Sequence, residues 1–181
     1  MRRDGVHSLL GKKMQIFPKS MFVFSLAVVC AVAAEKRFSP VELIFPEKFE
    51  AVTSTSLPPK VNSGDRLLVA KAREGATIEV AYETAIKLTP EGLAAFLEEG
   101  KKALASHKQL RVRRTEIAEK TGRKWGVMVM DLTSTDRALV CYTLTTSYDG
   151  AVLQFDFLGP KRLDEFLEKA VVEFMEHNPL K

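Results

Sequence analysis

Trp125-Gly126-Val127-Met128-Val129-Met130-Asp131-Leu132 decides the architecture. At the two-residue period of a strand, Trp125, Val127 and Val129 fall on one face and Met128, Met130 and Leu132 on the other. A strand apolar on both faces is central in its sheet and covered from both sides. Helices must therefore lie over both faces, which predicts a three-layer α/β/α sandwich.

Toward the C-terminus, Thr133–Asp136 is turn-forming, and Arg137–Ser147 is rich in β-branched and aromatic residues. Asp149-Gly150, between Tyr148 and Ala151, predicts a two-residue type I′ hairpin. Val152–Leu158 follows as a strand with Leu153, Phe155 and Phe157 on one face. Gly159-Pro160 is expected to open a last helix, whose stripe is Leu163, Phe166, Leu167, Ala170, Val171, Phe174 and Met175. Toward the N-terminus, Leu110–Glu119 reads as a strand turned back by Lys120-Thr121-Gly122-Arg123. Thr89-Pro90-Glu91 is a helix start, with Thr as N-cap and Pro at the first helical position. Its stripe, Leu93, Phe96, Leu97, Gly100 and Leu104, ends near Ser106. Arg66–Ala72 and Thr77–Glu83 read as strands joined at Glu74-Gly75, and Val41–Phe45 as a short first strand stopped by Pro46. Residues 53–65, TSTSLPPKVNSGD, collect turn-formers into the longest loop. The order is thus βββ, α, ββββ, α. Short connections make neighbouring strands antiparallel, so the expected fold is α+β, with a mainly antiparallel sheet of about six or seven strands.

This order, across the whole chain after residue 34, resembles the Mog1/PsbP-like fold. The opening Phe38-Ser39-Pro40-Val41-Glu42-Leu43-Ile44-Phe45-Pro46-Glu47-Lys48-Phe49 is similar to the start of those domains, a short strand running into a proline and then an aromatic. The usual aromatic there is Trp; here it is Phe49. Families of this fold include photosystem accessory subunits, nuclear-transport factors and exported bacterial proteins of unknown role. The resemblance implies a binding or accessory part and carries over no catalytic residue.

Met21–Ala34 is an uncharged run of 14 residues preceded by Lys12, Lys13 and Lys19 and ending in A-x-A sites at Ala31-Val32-Ala33 or one residue later. A basic start, a short apolar core and small residues at the end describe a secretory signal peptide. Fourteen helical residues reach about 21 Å, short of the ~30 Å bilayer core, so a retained signal anchor is the lesser alternative. Cys30 invites lipid attachment, against which Val29 stands. Translation from Met14 would give a more compact leader. Residues 1–34 are accordingly expected to be a leader and 35–181 one domain, exported to the periplasm or outside the cell, with no stable membrane span after processing.

The 181 residues are 46% apolar and 28% charged, too apolar for disorder. The net charge of +4 is local. Five of the 27 Lys/Arg and one of the 23 Asp/Glu lie in residues 1–34, leaving 22 of each beyond. A neutral domain argues against nucleic acid or an anionic membrane as partner. Beyond the leader Cys141 is the one thiol, so no internal disulfide forms; inside Ala138–Tyr142 it reads as a buried core residue.

Few motifs carry chemistry. His107 and His177 end their helices, where the dipole favours them, and no metal site or cofactor is expected. Neither a G-x-S-x-G elbow nor a phosphate-binding glycine loop occurs. Asp131 and Asp156 lie within apolar strands; pairing with an arginine, or facing out at a sheet edge, is the reading preferred over a general acid pair. Lys108, Arg111, Arg113 and Arg114 form the densest basic cluster, and strict alternation puts Arg111 and Arg113 on one face and Arg114 on the other. A charged edge strand that discourages sheet association accounts for it, with anion binding as the alternative. The expectation is a non-catalytic exported accessory domain that binds a protein of the envelope or secreted fraction. Its candidate binding residues are Pro58, Pro59, Lys60 and Asn62 in the long loop, with Arg111 and Arg113. The alternative is a small-ligand carrier or hydrolase whose pocket assembles only in three dimensions.

Overall fold

Phe155, Phe157 and Phe174, all without solvent exposure, mark where the sheet and its covering helix meet. The structure, a computed structural model, describes residues 41–52, 56–57, 66–133 and 137–180. Residues 1–40, where the leader is expected, and most of the 53–65 segment lie outside the described residues. The elements are β1 (Val41–Glu42), β2 (Phe49–Ala51), β3 (Ser56–Leu57), β4 (Leu67–Ala72), β5 (Thr77–Lys87), α1 (Leu93–Leu104), β6 (Leu110–Lys120), β7 (Arg123–Thr133), β8 (Ala138–Tyr148), β9 (Ala151–Pro160) and α2 (Asp164–His177). Seven strands form one antiparallel sheet in the order β2-β4-β5-β9-β8-β7-β6, and β1 pairs separately with β3.

The three layers are as expected. Trp125, Val127, Val129, Tyr142, Leu144, Leu153, Phe155 and Phe157 share one core with Leu167, Val171 and Phe174 of α2. The opposite face meets α1 at Gly126, where a Cβ would stand 2.9 Å from Leu97 Cδ1. Beside it Leu88, Leu93 and Val152 make a smaller core with Ile86 and Phe96. Both two-residue hairpins form with positive φ, at Thr121-Gly122 (52° and 73°) and Asp149-Gly150 (50° and 73°), as the type I′ geometry demands.

Four expectations are corrected. The first is the start of α1, which lies at Leu93 with Gly92 as its N-cap, not at Pro90 behind Thr89. The strand β7 is interior and doubly covered, but it lies next to the edge; the centre is β9. Strand pairing stops at Glu42 because the backbone of Ile44 is taken by a side chain: Asn178 Oδ1 accepts from its N–H at 2.9 Å, and Asn178 Nδ2 donates to its carbonyl at 2.7 Å. The sheet edge is instead β2, whose Phe49 stacks on Phe166 at 5.7 Å and meets Phe157 edge-on at 6.2 Å. Gly159-Pro160 ends β9, opposite Leu139 and Val140, and α2 starts at Asp164 after a turn of 3₁₀ helix. A proline at a strand terminus costs little pairing.

Candidate binding surfaces

The basic cluster lies on β6, the outermost strand, as a charged edge strand should. Its alternation is broken. Val112 pairs Met130 and Arg114 pairs the adjacent Val129, so Arg113 is the extra residue of a β-bulge. The bulge returns Arg114 to the α2 side of the sheet together with Arg113, contrary to the strict alternation expected. Arg114 donates to Glu168 at 2.9 Å and Arg113 to Asp164 at 2.6 Å, both acids on α2. Arg113 also lies 3.5 Å from Asp131, which forms an ion pair with Lys161 as well. The Tyr142 hydroxyl donates to Asp164 at 2.6 Å. Burial works against ionisation of Asp164, but the hydrogen bonds from Tyr142 and Arg113 outweigh it and hold the carboxyl below its ordinary value. Burial and that same carboxylate push the Tyr142 phenol far upward. The charge of Arg113 is thus committed to two carboxylates, while Arg111, across from Asp131 in register, stays exposed.

The other face of the sheet carries a buried polar cluster that periodicity did not show. Asp156, 3% exposed, forms a salt bridge with Arg66 and accepts from Thr143 Oγ1 at 2.6 Å and from Gln154 Nε2 at 3.0 Å. Burial lowers the Arg66 pKa, partly offset by Cys141 and Glu79. Cys141 sits 3.7 Å from Thr143 Oγ1, and burial pushes its thiol up to about 11. It is the buried core thiol expected.

Asp131 and Asp156 both pair with an arginine. They also lie on opposite faces: Asp131 pairs Val140 of the α2-side core, whereas Asp156 pairs Thr143, across from Met128.

Pro58, Pro59, Lys60 and Asn62 lie outside the described residues, but both flanks of their segment are fixed. Before it, Val52 N–H donates to the Val69 carbonyl at 2.9 Å, and β3 pairs β1. After it, Arg66 is held by Asp156. Four strands separate β4, into which the segment runs, from β6 with Arg111 and Arg113. Arg123 and Asn178, which no periodicity or motif singled out, organise the end of the described chain: Arg123 donates to the carbonyls of Pro179 (2.9 Å) and Ser147 (2.6 Å). Among the described residues no group of three or more His, Cys, Asp or Glu could hold a metal ion, and no helix is long and apolar enough to cross a membrane.

No family model and no curated protein matches the chain. Solved structures are similar to it. A Pseudomonas aeruginosa protein of unknown function is 11% identical over 75% of this chain and 95% of its own, with a TM-score of 0.49. LpqN of Mycobacterium tuberculosis, involved in cell envelope biogenesis, is 14% identical over 78% of this chain and 83% of its own, also at 0.49. Cyanobacterial PsbP from Synechocystis is 10% identical over 80% and 95%, at 0.41.

Proposed function

We propose that this chain is an exported, non-catalytic binding domain that presents residues 53–65 to a protein of the envelope or secreted fraction. The observation that carries this reading is the anchoring of the segment: its flanks are tied to β1 and β4 on one side and, through Arg66, to Asp156 at the sheet centre on the other. A segment held between two such anchors suits recognition on a rigid scaffold. Pro58-Pro59 lowers the entropy such a loop loses on binding. Three groups that chemistry could have used are otherwise engaged. Cys141 is held as a thiol, Asp156 neutralises Arg66, and Asp131 is bridged by two cations.

Deleting residues 59–64 spares β3 and Arg66. The melting transition should stay nearly unchanged while partner capture from the exported fraction is lost. Capture that survives the deletion overturns the reading. So does turnover of a substrate by the intact domain that Asp131→Asn or Asp156→Asn abolishes. The carrier alternative rests on the cluster of Arg66, Thr143, Gln154 and Asp156, and predicts a ligand whose binding Gln154→Ala weakens and the loop deletion spares.

A further inference from the structure

The outer strand β6 is eleven residues long, and among the described residues no strand pairs with its free side. Its exposed side chains divide by sign: Arg111, Arg113 and Arg114 come first, Glu116 and Glu119 later, with Thr115 between. We propose that two copies of this chain associate through β6, running antiparallel about Thr115, so that the sheet continues from one copy into the other.

The charges select that register. Centred on Thr115, an antiparallel pair sets Arg114 of each copy opposite Glu116 of the other. Both residues lie on the α2 side of the sheet, Arg114 across from Val129 and Glu116 across from Val127, so the paired side chains emerge on the same face. A centre one residue earlier puts Arg114 against Arg114; one residue later, Glu116 against Glu116. In-register parallel pairing brings all like charges together. Edge charges usually keep strands apart; here they reject these neighbouring arrangements and favour one.

The α1 side agrees. Val112 faces Met130 and Ile117 faces Gly126, on the same side of the sheet, and Ile117 is 42% exposed. The Thr115 centre brings each Ile117 toward Val112 of the other copy, with the bulge at Arg113 absorbing the odd residue. Within its own chain Arg114 meets Glu168 at 2.9 Å and Glu116 at 3.6 Å, and its five-donor guanidinium still has N–H groups left for Glu116 of the other copy. The two-fold arrangement is the commonest closed form of association.

Sedimentation velocity over a concentration series tests this. The wild-type chain should pass from monomer to dimer as concentration rises, and added salt should weaken the dimer. Arg114→Glu alone and Glu116→Arg alone should each give monomer, and the double exchange Arg114→Glu/Glu116→Arg should restore the dimer. Amide hydrogen exchange on the unmutated chain is the second arm, independent of how the variants fold: β6 amides should become more protected as the dimer fills. A monomer at every concentration, a dimer indifferent to the reversals, or β6 protection that ignores concentration overturns the proposal.

Discussion

Asn178 does with one side chain what a neighbouring strand would otherwise do. It holds both backbone groups of Ile44 and also donates to the Phe174 carbonyl at 2.8 Å, capping α2. Asn178→Ala leaves these groups, partly buried at Ile44 and buried at Phe174, without their partner and should cost about 1–2 kcal/mol, read by urea denaturation. Asp156→Ala takes the bridging carboxylate from the largely enclosed Arg66 and should cost about 3 kcal/mol. Cys141 should label slowly with a thiol reagent in the native state and quickly once unfolded, because its raised pKa leaves almost no thiolate at neutral pH. Asp164 gives an acid signature. Its folded pKa lies below the ordinary 3.8, so its stabilising contribution is present above that value and disappears as pH falls through the folded one. Tyr142→Phe removes one of the bonds that holds it down, so that loss should begin at higher pH in a circular-dichroism acid titration. The state of Cys141 was legible because an apolar strand surrounds it in sequence. Asn178 and Arg66 were not: their partners lie 134 residues away for Asn178 and on a strand near the far end of the chain for Arg66.

At the scale of elements, long periodic segments were legible and interruptions were not. The stripe of α2 packs as its spacing predicts, with Leu167, Ala170, Val171, Phe174 and Met175 buried. Phe174, fully buried against Phe155 at 4.8 Å, should cost about 3–5 kcal/mol when cut to Ala. Phe166 is only partly buried, so Phe166→Ala should cost visibly less in the same melt. The bulge in β6 defeated strict alternation because one inserted residue reverses every later side chain, and nothing in the local composition marks where it falls. The approach of α1 to β7 can be tested directly. Gly126→Ala drives a methyl into Leu97 and should destabilise by about 1–3 kcal/mol. Adding Leu97→Ala should make the two changes less than additive, since the clash is then gone.

Across the whole molecule, the layer count followed from one doubly apolar strand, whereas the strand order could not. Short turns specify the β6-β7-β8-β9 meander, but nothing local states that β9 then pairs with β5, some seventy residues earlier. Nor could the candidate surface be ranked from sequence, since Arg113 looks free until Asp131 and Asp164 arrive beside it. The placing of β9 has a consequence in time. The strand at the middle of the sheet is the last one synthesised, so a chain threaded N-terminus first holds β5 with an open, apolar edge until Pro160 has emerged. Closing so distant a pair is slow relative to forming hairpins. Until β9 closes on it, the unpaired edge of Thr77–Lys87 is a template for other strands.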